Sequence, residues 1–204
     1  MQSFTEPFAP VSALERRRSC EDTLAAAPEG LTELWLFGYG SLMWDAPFSH
    51  GLVKTARLSG WRREMSIWTA LARGTPECPG LSLGLVPGGA CEGMVFQIAV
   101  PDRAEALDII WQREMWTDVY RPTWVSLEID GRSQPSFTFT TNPASRQFAG
   151  DLSPDDAVAY IAQATGERGP CRDYLGNTVA SLKTLGIDEP HLYALDDAVK
   201  ATTD

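Results

Sequence analysis

The sequence predicts an α+β fold, a small barrel or curled, largely antiparallel sheet with helices at its side. Three observations predict it: strand-like runs crowd residues 33 to 100, a single helical segment interrupts the strands after that, and beyond residue 150 the pattern turns helical. Residues 1–32 read as an N-terminal extension, partly helical or disordered, in which Pro7 and Pro10 precede the Arg16-Arg17-Arg18 run and an alanine-rich stretch closes at Pro28-Glu29-Gly30. Three arginines beside Glu15, Glu21 and Asp22 read as a solvated helix face rather than a nucleic-acid arm.

Residues 33–204 read as one domain. Strands are expected at Leu34 to Phe37, Gly51 to Leu58, Trp61 to Trp68, Leu81 to Val86 and Cys91 to Val100, with Pro87-Gly88-Gly89-Ala90 joining the last two. A helix is expected from Asp102 to Met115, followed by strands at Thr123 to Ile129 and Ser136 to Thr140 around an Asp130-Gly131 hairpin turn. Ser153 is a helix N-cap with Pro154 at the first helical position and Asp155-Asp156 in the first turn, starting a helix to about Ala164. A loop from Gly166 to Pro170 then leads into a helix that carries Leu175, Val179, Leu182 and Leu185 on one face and stops at Gly186.

The 204 residues, 44% hydrophobic, suffice for one ordinary core. A net charge of −10 argues against nonspecific binding to nucleic acid or anionic membrane, which leaves a small molecule as the expected partner. Four cysteines (Cys20, Cys78, Cys91, Cys171) without C-x-x-C spacing, and only two histidines (His50, His191), give little support for a zinc site or a Cys/His nucleophile. Scattered thiols fit a reducing compartment, and no apolar run approaches the roughly 20 residues of a membrane span, so a cytoplasmic location is expected. Most of the seven tryptophans are expected in the core.

Two features carry chemistry. In Phe37-Gly38-Tyr39-Gly40-Ser41-Leu42 an apolar strand breaks into two glycines flanking a tyrosine, followed by serine. Such a turn is either a tight bend or a receptor for a small polar ligand, its glycines taking left-handed or irregular conformations so that N–H groups converge on a carboxylate or oxyanion. Ser41 lies outside any G-x-S-x-G pattern and is cast as a ligand donor, not a nucleophile. The second feature is Glu114, which helical spacing puts in the arc of Ala104, Leu107, Ile110 and Trp111. A carboxylate on an apolar face is disfavoured as an ion unless paired, which suits a general base. The bland alternative is a last-turn glutamate paired with an arginine; adjacent Arg113 is expected to be a poor partner, because neighbouring helix residues point in different directions.

The stretch Phe37 to Trp44, together with Trp111-Gln112-Arg113-Glu114-Met115 and Tyr120-Arg121-Pro122-Thr123-Trp124, resembles the ChaC-like γ-glutamylcyclotransferases, in their glutathione-specific branch. Arg73-Gly74-Thr75 with Pro79-Gly80 is similar to a loop between the family's early strands, and Gly166 to Leu175, including Tyr174, to its C-terminal helix entry. The resemblance covers about residues 33 to 187 and implies a γ-glutamylcyclotransferase-like small β-barrel with flanking helices, residues 33–204 being the catalytic domain. It implies conversion of glutathione to 5-oxoproline and cysteinylglycine, with no cofactor and no metal. It also implies Glu114 as the catalytic base, and Phe37, Gly38, Tyr39, Gly40, Ser41, Leu42, Arg73, Tyr120 and Tyr174 as substrate contacts. Two alternatives stay open: another γ-glutamyl amine or dipeptide as substrate, or a non-catalytic binding or regulatory role. Asp118 stands where the family usually has glycine, which leaves substrate selectivity open; Arg62, Arg63, Arg73 and Arg121 are candidates to offset the acidic field around an anionic substrate.

Overall fold

A computed structural model describes residues 2–203. The chain forms the expected α+β barrel: five strands, β1 (Leu34–Gly38), β2 (Val53–Thr69), β3 (Gly80–Ile98), β4 (Tyr120–Ile129) and β5 (Arg132–Thr141), close in the order β1-β3-β2-β4-β5. The helices are α1 (Ala13–Ala25), α2 (Arg103–Glu114), α3 (Pro154–Gln163), α4 (Cys171–Leu185) and α5 (Pro190–Thr203).

The chain clusters into two compact units, one made of residues 9–63 and 85–142, the other of residues 2–8, 64–84 and 143–203. In the first, β1 lies between β3, antiparallel with Leu36 opposite Phe96, and β5, parallel with Leu36 opposite Phe137. Neighbours on both edges leave all of β1 buried, as its unbroken apolar run requires. Leu34, Leu36, Phe96, Ile98, Phe137 and Phe139 of the barrel wall pack with Leu107, Ile110 and Trp111 of α2 in one apolar cluster. That seating fixes which side of α2 is inward. Ala106, Leu107, Ile110 and Trp111 are buried, whereas Ala104, placed in the apolar arc by spacing, is exposed.

β4 and β5 pair along their whole length around Asp130 (φ 51°) and Gly131 (φ 72°), two successive left-handed residues of the kind a two-residue hairpin needs. The two strands expected on either side of Ser59-Gly60 are one strand. Gly60 has φ +83°, and across it the alternation changes phase: Ala56 and Leu58 are buried before it, Arg63, Met65 and Ile67 after it. An extra residue in a strand leaves this signature. The runs flanking Pro87-Gly88-Gly89-Ala90 likewise belong to one strand, β3.

α1 is the short helix expected in the extension. It starts at Ser12, which forms a capping box with Glu15; Ser19 Oγ accepts from Trp111 Nε1 (3.2 Å), and the Thr23 carbonyl from Trp124 Nε1 (2.8 Å). Arg17 and Arg18 are exposed, and Arg16 lies over the Trp116 ring. Among the tryptophans, Trp35, Trp68 and Trp111 are buried, Trp44, Trp61 and Trp124 half-buried, and Trp116 exposed.

In the second unit α3, α4 and α5 pack on one another, with Ile161, Val179, Leu182, Leu192 and Val199 buried. Ser153 caps α3 by accepting from the Asp156 N–H, and α4 ends at Gly186, both as expected. The Gly166 to Pro170 loop is a small hairpin, β6 (Thr165–Gly166) with β7 (Gly169–Pro170). Helix α5 was not anticipated. Its signals are Pro190 at the start and Leu192 and Val199 seven residues apart.

Candidate functional site

At the end of β1 the chain leaves the barrel through Tyr39-Gly40 into one 3-10 turn, Ser41–Met43, closed by bonds from Met43 N–H to the Gly40 carbonyl (2.9 Å) and from Trp44 N–H to the Ser41 carbonyl (3.2 Å). These bonds use carbonyls and none of the N–H groups of Gly40, Ser41 and Leu42. Neither glycine is left-handed, and of the two kinds of conformation expected only the irregular one is found. Gly40 is irregular (φ −132°, ψ −130°), and Gly38 is needed for space: a Cβ there would lie 2.8 Å from the Leu42 Cβ and 3.2 Å from the Phe96 ring. Leu42 therefore seats its side chain back against the strand that precedes it.

The turn is fixed from inside the barrel. Arg63 is fully buried, and its Nε donates to the Tyr39 carbonyl at 2.6 Å while Nη2 reaches the Glu92 carbonyl. Because carbonyl and N–H of a trans peptide point in opposite directions, pinning the Tyr39 carbonyl inward turns the Gly40 N–H away from the guanidinium. The Tyr39 ring is itself buried, its hydroxyl donating to the Phe139 carbonyl at 2.8 Å, and Phe37 is buried with its carbonyl accepting from Thr138 Oγ1 at 2.9 Å. Phe37 and Tyr39 thus anchor the turn to β5, and Leu42 is buried as well; Ser41 is half-buried. Arg63, expected among the arginines that offset the acidic field, is instead buried and spent on backbone carbonyls, and Arg62 is tied to the Pro87 carbonyl at 2.6 Å.

Glu114 is the last residue of α2, with its side chain 15% exposed. Its carboxylate is paired with Arg113, Nε to Oε1 at 3.2 Å, which corrects the expectation that the adjacent arginine is a poor partner. The facing rule holds inside a regular helix; at its final residue a long arginine reaches round the end. The same guanidinium donates from Nη2 to Ser41 Oγ (2.7 Å) and from Nη1 to the Asp45 carbonyl (2.7 Å) and Oδ2 (3.0 Å). Ser41 Oγ and Glu114 Oε1 therefore lie within about 8 Å of each other, set by two contacts and the width of one planar guanidinium. Arg113 went unread in the sequence as a site residue; its signal was an arginine in the last helical turn directly before the glutamate.

Tyr120 opens β4 opposite Thr141 and is half-buried. Asp118 is exposed and has no left-handed backbone, so the loop does not depend on glycine there; its carbonyl accepts from Asn142 Nδ2 at 2.9 Å. Arg73 and Tyr174 belong to the other unit. The Arg73 guanidinium lies 6.0 Å from the Tyr174 ring centre and donates to the Pro170 carbonyl at 3.3 Å, while the Tyr174 hydroxyl accepts from the Leu83 N–H at 3.2 Å. Their backbone is close-packed: a Cβ on Gly166 would meet the Leu71 carbonyl at 2.4 Å and the Gly74 nitrogen at 2.5 Å. No group of three or more His, Cys, Asp or Glu side chains among the described residues could hold a metal ion, and no helix among them is long and apolar enough to cross a membrane.

Residues 34–202 match the family model described as ChaC-like protein. The chain is 34% identical over 191 residues to a glutathione-specific gamma-glutamylcyclotransferase of Escherichia coli (strain K12), covering 93% of this chain and 82% of that one. It is 27% identical to glutathione-specific gamma-glutamylcyclotransferase 1 of Danio rerio, over 85% of this chain and 92% of that protein. Among solved structures, a gamma-glutamyl cyclotransferase specific to glutathione from yeast superimposes with a TM-score of 0.77 at 19% identity, over 84% of this chain and 97% of the other, a likeness of fold. The glycine turn, the helix-terminal glutamate and the barrel that carries both fall inside the matched span, and the chain belongs to the ChaC-like family.

Proposed function

We propose that this protein is a glutathione-specific γ-glutamylcyclotransferase, a lyase of glutathione degradation that releases 5-oxoproline and cysteinylglycine in the cytoplasm. The observation that carries it is the pairing of a helix-terminal carboxylate with the glycine turn through one guanidinium. Relatives at 34% and 27% identity bearing that name support the substrate.

The reaction closes a five-membered ring. The substrate's α-amine attacks its own γ-carbonyl, forming the new carbon–nitrogen bond, and the amide bond to cysteinylglycine breaks. Glu114 takes the proton from the attacking amine and returns it to the departing amine, so one carboxylate serves as base and then as acid. The N–H groups of Gly40 to Leu42, which the turn's own bonds do not use, suit either the substrate carboxylate or the oxyanion of the tetrahedral intermediate. Holding the folded conformer supplies much of the rate, since well-oriented intramolecular reactions reach effective molarities on the order of 10⁵ M or more. Tyr120 adds a phenol, and Arg73 with Tyr174 a cation and a phenol, as substrate contacts; these three assignments rest on the family resemblance. Residues 33–204 act as one catalytic domain.

Incubating the purified protein with glutathione and quantifying 5-oxoproline and cysteinylglycine tests the proposal. Wild type is expected to yield both in equal amounts, and Glu114→Gln to fold normally while losing about 10²- to 10⁴-fold in kcat, the range of general acid–base catalysis. Turnover of another γ-glutamyl compound but not glutathione would move the assignment to that substrate. Saturable binding with no turnover of any would leave a binding protein.

A further inference from the structure

Arg113 holds three partners that the proposed chemistry leaves unexplained. Its Nη1 donates to Asp45 at 2.7 and 3.0 Å and its Nη2 to Ser41 at 2.7 Å, while its Nε lies 3.2 Å from Glu114 Oε1 as an ion pair. The side chain is 14% exposed, so these contacts are shielded from most of the water that weakens surface pairs. Ser41 begins the 3-10 turn and Asp45 follows its end, so the guanidinium spans the turn while gripping the carboxylate at the helix terminus. A guanidinium suits this task because its N–H groups form one rigid planar fork, whereas an ammonium is a point charge on a flexible stem.

We propose that Arg113 is a positioning residue of the cyclisation, fixing the direction of the Glu114 carboxylate relative to the Gly38 to Leu42 turn. The proposal rests on Glu114 being the base. A glutamate at the last position of a helix has no following turn to confine it, and helix ends fray. Ring closure demands that base, amine and carbonyl align, and a displacement of about 1 Å costs on the order of 10²-fold in rate. One fork on both parts removes that freedom. With each of its three nitrogens occupied by protein, Arg113 acts through Glu114 and Ser41 and does not bind substrate itself.

Three variants of the full chain, Arg113→Lys, Arg113→Ala and Glu114→Gln, assayed for 5-oxoproline release across a panel of γ-glutamyl compounds, test this. Arg113→Lys is expected to lower kcat by about 10- to 100-fold with KM moving less than about threefold. In folded Arg113→Ala, guanidinium ion at millimolar concentration is expected to restore part of the lost kcat, and to do nothing for Glu114→Gln. Wild-type rates in Arg113→Lys, a raised KM at unchanged kcat, or a folded Arg113→Ala that guanidinium does not rescue would each overturn the positioning role. If Arg113→Ala fails to fold, the kcat-against-KM split of Arg113→Lys decides. A Glu114→Gln variant as active as wild type overturns the assignment of the base instead, so the two failures are told apart.

Discussion

A methyl group on Gly93 would sit 2.5 Å from the Gly38 carbonyl oxygen and 2.9 Å from the Phe37 ring, closer than packed atoms come. The neighbour at 2.5 Å is backbone and has nowhere to go. Gly93→Ala is therefore expected to lose about 1 to 3 kcal/mol, the usual range of overpacking, read as a lower urea midpoint, and to depress kcat because Gly38 leads directly into the turn. The thiols make a second case. Burial pushes Cys171 up to about 11, as it does Cys20, so both stay protonated and unreactive near neutral pH. Alkylation of the native protein at pH 7.5 is expected to spare Cys171 and Cys20 until denaturant is added, as mass spectrometry of tryptic peptides would show. At this scale the sequence made Gly38, Gly40 and Glu114 visible as unusual residues. It concealed the reason for Gly38, which is space for Leu42 rather than a left-handed bend, and it concealed Arg113, whose reach depends on where α2 stops.

The capping box of α1 links an element to pH. Hydrogen bonds from Ser12 to the Glu15 carboxylate hold its pKa below the ordinary value of 4.5. A carboxyl so depressed adds stability that is present above the ordinary value and lost as pH falls through the lower folded one. Glu15→Gln should accordingly increase amide exchange in α1 at pH 7 and cease to differ from wild type near pH 2. Ser12→Ala is expected to cost α1 about 1 kcal/mol by the same exchange measurement. Elements with a chemical signature were legible: Asp130-Gly131 for the β4–β5 turn, Ser153-Pro154 for the start of α3, Gly186 for the end of α4. β2 was not, because Gly60 reads as a break when it is a kink within one strand. α5 escaped because Asp188, Glu189 and Pro190 look like the polar close of a chain, although the apolar spacing resumes at Leu192.

For the molecule as a whole, the governing quantity is its net charge of −10. An anionic substrate approaches against that field, and salt screens it over about 10 Å at 0.1 M. The kcat/KM for glutathione is expected to rise severalfold between 10 and 150 mM NaCl, whereas a γ-glutamyl substrate of no net charge should show little change; a fall with added salt would mean that local arginines outweigh the total. Composition made this property legible from the start, as the order of strand and helix patterns did the α+β class. The closed order of the five strands was not legible, since pairing β1 in parallel with β5 joins residues about a hundred positions apart.

Gly60 sets a rule for changes in chain length. Deleting it would remove the extra residue and leave a regular alternation, in which Arg63, Met65 and Ile67 stay on the face of Ala56 and Leu58, so the guanidinium would keep its side of the sheet. One lost codon at this point would thus spare the support of the glycine turn, whereas loss of Glu64 would turn Met65 and Ile67 to the opposite side of the sheet. Relatives that drop a residue at this point should need no second change in length to keep the arginine inward.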